Sequence, residues 1–275
     1  EQKTALFVEQ KLRLFGLTVH PRMAGTGVIA SISSGDSKKS IALRADLDAL
    51  PIIEKTGLSY SSSHQGMMHA CGHDGHTSML LGAAQYLAQH REFNGTVYFI
   101  FQPAEENEGG GRQLVKEGFF NKYPIDAIYG MHNWPGLAVG KFAIRSGPVM
   151  AAYDIFDITI KGKGGHAAAP HNTLDPIVIA AQIITAVQTI SSRQQDPQDA
   201  LVISITRFHA GDSYNVISET ACLSGTARTF KHSVQEKIIK QLTQMVEGIC
   251  QAHGAIAEID YQKRYPATIN TIAET

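Results

Sequence analysis

The chain has 275 residues, of which 43% are hydrophobic and 18% charged, and its formal net charge is −1. This composition is typical of a soluble globular protein that is long enough for two domains. The near-zero charge and the dispersed lysines and arginines argue against nucleic acid or an anionic membrane as a partner. The three cysteines, Cys71, Cys222 and Cys250, form a poor disulfide framework and favour a reducing, cytoplasmic location. We expect Cys222 and Cys250 to be buried apolar fillers.

The first half of the chain has an order of elements that is typical of an α/β layer with a mostly parallel sheet. Its predicted elements are a helix at 1–15, strands at 27–32 and 39–46 with a hairpin loop between them, a helix at 75–90, a buried strand at 96–102, a helix at 112–120 and a short buried strand at 125–132. Thr77 or Asp74 is the expected cap of the second helix. Pro103 is expected to end the buried strand before it.

In the second half, from about residue 147, the first predicted strand alternates apolar with polar residues, which is typical of a sheet with one solvated face. The order of the elements there predicts a small α+β domain. Its predicted elements are a strand at 151–163, a helix at 175–192, strands at 200–209 and 220–230, a helix at 233–253 and a closing strand at 255–266. The order β-α-β-β-α-β is the ferredoxin-like arrangement. We therefore predict a metal-binding α/β domain at 1–146 that resumes at 266–275, with a satellite domain at 147–265 inserted into it.

The stretch MMHACGHDGH, residues 67–76, carries a cysteine and three of the twelve histidines of the chain. Cys71 and His73 form an i, i+2 pair in a loop before a predicted helix, and thiolate and imidazole are ligands of soft and borderline metals. No second cysteine pair is present, so a closed zinc-finger site is disfavoured. A loop of surface histidines that caps a helix is the alternative.

Polar side chains also follow the ends of three predicted strands. These are Asp46, the pair Glu105 and Glu106, and His132. Open α/β sheets place their active sites along the edge where the strands end. Two adjacent carboxylates suit a division of labour in which one binds a metal and the other takes a proton from water. Both can serve one site only if Pro103 has ended the strand, because successive strand residues face opposite sides. A solvated acidic loop and a structural histidine are the alternatives.

Five motifs, in chain order, carry a family resemblance: MMHACGHDGHT, FQPAEE, GMHNWPG, SGPVMAAYDIFDITIKGKGGHAAAPH and GTARTF. They resemble the hippurate hydrolase and N-acyl-amino-acid amidohydrolase family, which includes auxin-conjugate hydrolases and N-acetyl-diaminopimelate deacetylases. The resemblance covers essentially the whole chain. It implies a metallopeptidase-type α/β catalytic domain with a smaller ferredoxin-like dimerisation domain. It also implies two divalent metal ions, manganese or zinc with cobalt or nickel as alternatives, and cleavage of an amide.

The resemblance assigns roles to individual residues of the first domain. Those that match the family's metal ligands are Cys71, His73, Glu106 and His132. Glu105 matches its general base. The wider metallopeptidase group has His-x-Asp where this chain has Arg44 and Asp46, and we expect Asp46 to orient a ligand or the attacking water. His69 and His76 are expected to support or cap the site, and Asp74 to lie just behind the ligands.

In the small domain, the resemblance implies that His166 reaches the active site of a partner subunit and stabilises the oxyanion. A histidine in a surface turn is the alternative. His171 has a weaker claim to function, and a purely structural role is its alternative. Asn215 and Arg228 match positions that face the substrate. Arg228 would bind the substrate carboxylate with both nitrogens, whereas a surface ion pair is the alternative.

Compared with the family pattern, the chain lacks the family's usual first helix with its histidine-proline-glutamate stretch. It also lacks a return segment that supplies one more histidine ligand, and both differences predict trimming at the two ends. The predicted function is cleavage of small N-acyl amino acids, such as N-acetyl or N-benzoyl derivatives, by metal-activated water in a homodimer. Three alternatives remain. They are a short-peptide carboxypeptidase or dipeptidase, a catalytically silent binding protein, and a redox or metal sensor that uses Cys71.

Overall fold

The computed structural model describes residues 1–106 and 109–275, which form two compact units, Glu1–Phe142 and Ala143–Thr275. The boundary predicted at 146/147 and the return predicted at 266–275 stay predictions. Within the described residues, no helix has both the length and the apolar character needed to cross a bilayer. The α/β class predicted for the first half and the ferredoxin-like arrangement predicted for the second are both confirmed.

The first unit is a five-stranded sheet with helices on its faces. Its elements are α1 (Gln2–Leu14), β1 (Thr18–Val19), β2 (Val28–Ser34), β3 (Ser40–Asp46), α2 (His73–Gln89), β4 (Gly95–Gln102), α3 (Gly110–Lys116), α4 (Phe119–Lys122) and β5 (Ala127–Gly130). The strand order is β1-β2-β4-β3-β5. Strand β3 is parallel to β4 and β5, whereas β2 is antiparallel to β1 and β4. Strands β1, β3, β4 and β5 therefore run in one direction and β2 runs against them, so the prediction of a mostly parallel sheet is confirmed.

The predicted hairpin between β2 and β3 is wrong, because β4 lies between these two strands. The connecting loop turns at Gly35, whose φ is +71°, a conformation that glycine adopts without steric cost. The side-chain carbonyl of Asn94 then accepts hydrogen bonds from the backbone N–H groups of Asp36 and Ser37. This anchors the loop to the start of β4 and carries the chain past that strand.

Strand β4 takes the central place in the sheet because its side chains are apolar on both faces. Phe99 and Phe101 pack with α1 and α2 on one face, and Ile100 packs with the α3–α4 segment on the other. The single helix predicted at 112–120 is two short helices, separated at Gly118 with φ +80°. Strand β5 was predicted to be buried, but it lies at the edge of the sheet in this unit and its side chains are largely exposed.

Helix α2 begins at His73 and not at residue 75, and its N-cap is Gly72 in the left-handed conformation with φ +85°. The predicted caps are therefore wrong. Asp74 lies in the first turn of the helix, and the Thr77 hydroxyl donates to the backbone carbonyl of Asp46. The earlier start places His73 on the helix, while Cys71 remains just before it.

The second unit is a four-stranded antiparallel sheet covered by two helices. Its elements are β6 (Gly147–Met150), β7 (Ala152–Lys161), β8 (Gly165–His166), a 3₁₀ turn (Pro170–Asn172), α5 (Pro176–Arg193), β9 (Leu201–Ala210), β10 (Val216–Ile217), β11 (Thr220–Thr229), α6 (His232–Ala252), β12 (Ile256–Tyr265) and β13 (Thr268–Asn270). The sheet order β12-β7-β11-β9 is that of a ferredoxin-like fold. Two ribbons, β6 with β13 and β8 with β10, lie outside this sheet.

The core of the second unit lies between the sheet and helices α5 and α6. Cys250 on α6 is buried in it, as predicted. Cys222 is exposed, so the prediction for this cysteine is wrong. The reason is the two-residue period of a strand, since Ala221 and Leu223 face the core and turn Cys222 to the opposite face of the sheet.

Candidate metal centre

The site begins at the carboxyl end of β3, where two buried aspartates follow each other at a spacing of two. Arg44 donates from Nη1 to Asp46 Oδ2 at 2.8 Å and from Nε to Gln102 Oε1 at 3.0 Å. Burial raises the pKa of Asp46, but the charge of Arg44 and the hydrogen bond from His76 outweigh it and lower that pKa. Arg44, which stands where the wider group has a histidine, therefore holds Asp46 in its ionised form.

The second aspartate, Asp48, joins two of the predicted ligands. Its Oδ1 lies 3.1 Å from Nδ1 of the buried His73, and its Oδ2 accepts the backbone N–H of Glu106 at 3.0 Å. A carboxylate on one ring nitrogen fixes the tautomer of a histidine and leaves the other nitrogen available as a ligand. Nε2 of His73 lies 3.8 Å from Asp46 Oδ1 and 3.8 Å from Glu106 Oε1.

Glu105 and Glu106 reach the site because the chain leaves the sheet before them. Strand β4 ends at Gln102, and Ala104 has a φ of +50°, which is uncommon for a residue with a Cβ. Ligand atoms of His73 and of both glutamates lie within 4.8 Å of one another. Burial and the charge of Glu106 raise the pKa of Glu105. The condition set by the sequence, that the strand ends at Pro103, is met.

His132 follows β5 and faces Cys71. The Sγ atom of Cys71 and Nε2 of His132 are 3.4 Å apart, and ligand atoms of these two residues and His73 lie within 4.8 Å of one another. His132 donates from Nδ1 to the backbone carbonyl of Asn133 at 2.7 Å, which turns Nε2 toward the cysteine. The structure thus brings together all four residues that match the ligand set, with Glu105 beside them.

The other polar residues of the stretch 67–76 differ in burial and in their contacts with the site. His76 is buried and its Nδ1 lies 2.6 Å from Asp46 Oδ1. His69 is half-buried. Asp74 is exposed and accepts a hydrogen bond from the N–H of Gly75, so the expectation that it lies behind the ligands is wrong. In the first turn of a helix its side chain points outward, on the face opposite to His73 and His76.

The donor set fits a divalent cation. Nε2 of His73 and Oε1 of Glu106 are buried and have no hydrogen-bond partner among the described residues, a costly state for a polar atom unless something else coordinates it. Burial and the nearby carboxylates of Glu106, Glu105 and Asp46 raise the pKa of the Cys71 thiol to about 12. A cation placed among these groups would offset that excess of negative charge. Sulfur, imidazole and carboxylate ligands suit zinc and related metals.

The second unit carries three predicted site residues. His166 lies on the β8–β10 ribbon, Asn215 lies in the loop before β10, and Arg228 lies in the four-stranded sheet. His166 is exposed on β8, and its Nδ1 accepts the N–H of Ala168 at 3.1 Å. The backbone carbonyl of Asn215 accepts the N–H of Ala167 at 3.0 Å, so Asn215 and His166 are neighbours. On β11, the Arg228 guanidinium lies 4.2 Å from the centre of the Tyr153 ring. This stacking is not the surface ion pair that was the alternative for Arg228.

Sequence reasoning missed two residues of the site, Asp48 and Asn133. Asp48 carried a signal, because RADLDAL places it two positions after Asp46 at the same strand end. Asn133 follows His132 directly, but its role depends on contacts with Gly72 and His76, about 60 residues earlier in the chain. Such a contact between distant segments leaves no pattern in a single sequence.

The fold and the site define a two-unit α/β protein with a cluster of cysteine, histidine and glutamate side chains at the carboxyl edge of its first sheet. The chain belongs to peptidase family M20/M25/M40, whose model matches residues 42–274. The resemblance drawn from the motifs is thereby confirmed.

Individual relatives agree with this assignment. The chain is 41% identical to N-acetyl-L-cysteine deacetylase of Bacillus subtilis, over 100% of this chain and 66% of the relative. It is 41% identical to hippurate hydrolase of Campylobacter jejuni, over 97% and 70%. The crystal structure of Bacillus subtilis YXEP, described as a dinuclear metal binding peptidase of the M20 family, has a TM-score of 0.84 at 39% identity, over 99% and 70%. The chain spans about two thirds of the length of these proteins.

Proposed function

We propose that this protein is a metal-dependent amidohydrolase that cleaves the amide bond of N-acyl amino acids. The observation that carries the proposal is a pair of buried atoms, His73 Nε2 and Glu106 Oε1, that have no partner in the described part of the chain, with Cys71, His132 and Glu105 around them. The relatives support the substrate class, since they include an N-acetyl-L-cysteine deacetylase and a hippurate hydrolase. N-acetyl and N-benzoyl amino acids are therefore the proposed substrates.

We propose two divalent ions, manganese or zinc, as the cofactor, held by Cys71, His73, Glu106 and His132. The description of a solved relative as a dinuclear metal binding peptidase supports this number. Bound ions of this kind supply a Lewis acid and lower the pKa of water toward neutrality. Asp48 supports the centre by fixing Nδ1 of His73 and the backbone of Glu106.

The side chain proposed to move protons is Glu105. Burial and the charge of Glu106 raise its pKa, which brings it nearer to the range in which a carboxylate both takes and returns a proton at neutral pH. Glu105 removes a proton from the attacking water and gives it to the leaving amine. Asp46 is proposed to assist from behind the ligands.

The second unit is proposed to supply groups that bind the substrate, in a homodimer formed through this unit. His166 accepts a hydrogen bond at Nδ1, so its ring proton is on Nε2, where it can be donated to an oxyanion. In the proposed dimer, this histidine serves the site of the partner subunit. Asn215 and Arg228 are proposed to bind the substrate, with the guanidinium of Arg228 on its carboxylate.

The test is hydrolysis of N-acetyl and N-benzoyl amino acids and of dipeptides, with added manganese or zinc. A Glu105→Gln variant is expected to lose about 10²–10⁴-fold in kcat while it binds as much metal as the wild type. Glu92→Gln, an exposed change in the same unit, is the matched control. Normal turnover by Glu105→Gln would refute its role. Turnover of dipeptides alone would support the peptidase alternative, and metal binding without turnover would support the silent one.

The cross-subunit role of His166 has a separate test by complementation. Glu105→Gln and His166→Ala are each expected to be inactive as homodimers. A mixed dimer contains one site with an intact Glu105 from one chain and an intact His166 from the other, so it is expected to recover up to half the activity of the wild type. If His166 acts within its own chain, the mixture stays inactive.

A further inference from the structure

His76 is a second buried histidine of the first unit, three positions after His73 on the same face of α2, and only 2% of its surface is exposed. Both of its ring nitrogens have partners. Nδ1 donates to Asp46 Oδ1 at 2.6 Å, and Nε2 accepts the backbone N–H of Asn133 at 3.0 Å. The carboxylate of Asp46 accepts, so Nδ1 carries a proton, and Nε2 is occupied by the backbone N–H and the side-chain oxygen of Asn133. His76 therefore differs from His73, whose Nε2 has no partner among the described residues.

The peptide unit that His76 binds belongs to the residue next to a proposed ligand. The N–H of Asn133 is bound by His76, and its carbonyl accepts the hydrogen bond from His132 Nδ1 at 2.7 Å. The rings of His76 and His132 lie 4.5 Å apart, at 62° to each other. Asn133 thus connects the two histidines and sets the direction of His132 Nε2 toward Cys71.

The side chain of Asn133 contacts the other wall of the centre. Its amide contacts Nε2 of His76 and packs against Gly72, where a Cβ would lie 2.7 Å from Asn133 Oδ1. Gly72 stands between Cys71 and His73 and has a φ of +85°. The amide of Asn133 therefore occupies the space that a side chain at position 72 would take, and it fixes the spacing between the two ligand-bearing segments.

We propose that His76 is a positioning residue, held by Asp46 and Arg44, which acts through Asn133 to place His132 relative to Cys71 and His73. The proposal rests on the proposed function, because it assumes that these three residues bind a metal. It also assigns Asp46 a definite route of action, since its carboxylate orients His76, and His76 in turn orients the peptide that carries a ligand. Arg44 in turn holds the Asp46 carboxylate in place through its ion pair.

Two substitutions at His76 separate the two hydrogen bonds. The amide of a glutamine occupies the region of Nε2 and can accept the N–H of Asn133, whereas that of an asparagine occupies the region of Nδ1 and reaches only Asp46. The intact protein is titrated with Co²⁺ alone, and the thiolate-to-cobalt absorption and the d–d bands are recorded. We expect His76→Asn to lower Co²⁺ affinity by about 10–100-fold with altered d–d bands. His76→Gln is expected to restore most of both.

The matched control is His90→Asn, at the opposite end of α2. If His76→Asn does not fold, as judged by circular dichroism, Asn133→Pro replaces it, because proline lacks the backbone N–H that Nε2 accepts and the position is exposed. The expectation is the same change in affinity and spectrum, with Asn133→Ala, which keeps that N–H, as its control. Wild-type affinity and d–d bands in the folded variant would overturn the positioning role. Absence of the thiolate band in the wild type would instead refute the metal centre of the proposed function, and the inference with it.

Discussion

Substitution of Asp48 by asparagine tests whether one carboxylate organises the metal centre. Asp48 is 6% exposed, and its two oxygens accept from His73 Nδ1 at 3.1 Å and from the Glu106 N–H at 3.0 Å. The asparagine side chain has the same shape but only one acceptor oxygen, and its NH₂ group faces a second donor. In the His73 tautomer that leaves Nε2 free for a metal, one of the two hydrogen bonds is therefore lost, and a buried N–H is left without a partner.

The expected cost follows from these contacts. Loss of a hydrogen bond to a charged group and the burial of an unpartnered donor together predict a decrease of about 2–4 kcal/mol in the free energy of unfolding. The loss also frees the ring of His73 or the backbone of Glu106 to rotate. Metal affinity is expected to fall by about 10–100-fold, which is the usual effect of removing the partner of a ligand.

Urea unfolding of the metal-free protein, followed by fluorescence, measures the first effect. Trp134 is the only tryptophan of the chain and lies two residues after His132, so its emission reports on the first unit. Calorimetric titration with zinc measures the second effect. Asp74→Asn, an exposed change on the first turn of α2, is the matched control. An Asp48→Asn protein with the stability and zinc affinity of the wild type would refute the assigned role.

Two further predictions concern packing and pH. Gly225→Ala on β11 is expected to lower the stability of the second unit by about 1–3 kcal/mol in calorimetry, because the new Cβ would lie 2.5 Å from the Ser204 carbonyl oxygen and would overlap the Phe156 ring. Gly248→Ala on α6 has free space and is expected to raise the stability by about 0.5–1 kcal/mol. Equal changes in stability from the two substitutions would contradict the close packing at Gly225. In the metal-free protein, burial lowers the pKa of His73, but Asp48 and Asp46 outweigh it and raise that pKa above its ordinary 6.5. This contribution to stability is complete below pH 6.5 and is lost as the pH rises through the raised pKa, so the stability difference between wild type and His73→Gln is expected to shrink from pH 6 to pH 9.

The sequence predicted the type and order of most elements because their apolar periods are local. It predicted the ferredoxin-like order from the alternation of strands and helices between 151 and 266. It did not predict which strands are neighbours in the first sheet. The loop after β2 has the composition of a hairpin, yet β4 pairs with both β2 and β3. Local composition predicts that the strand with Phe99 and Phe101 is buried, but it does not encode which two strands pair with it.

The same distinction applies to the site. The four residues that match the ligand set follow strand ends or start a helix, so topology alone brings them to one edge. The partners of these residues are set by side-chain geometry across long separations, and only Asp48 had a detectable spacing. Cys222 shows that the sequence also did not predict the orientation of individual side chains within a correctly predicted strand. Its strand was predicted, but which of its two faces meets the core was not.

Two histidines on one turn of α2 show why the density of histidines alone does not identify ligands. His73 and His76 each direct Nδ1 to a buried aspartate, Asp48 and Asp46 respectively. They differ only at Nε2, which is unpartnered in His73 among the described residues and bound to the Asn133 N–H in His76. A nitrogen that already accepts a hydrogen bond has no lone pair left for a metal. The partner of Nε2, which lies in a distant loop, therefore decides which histidine is a ligand and which one positions it.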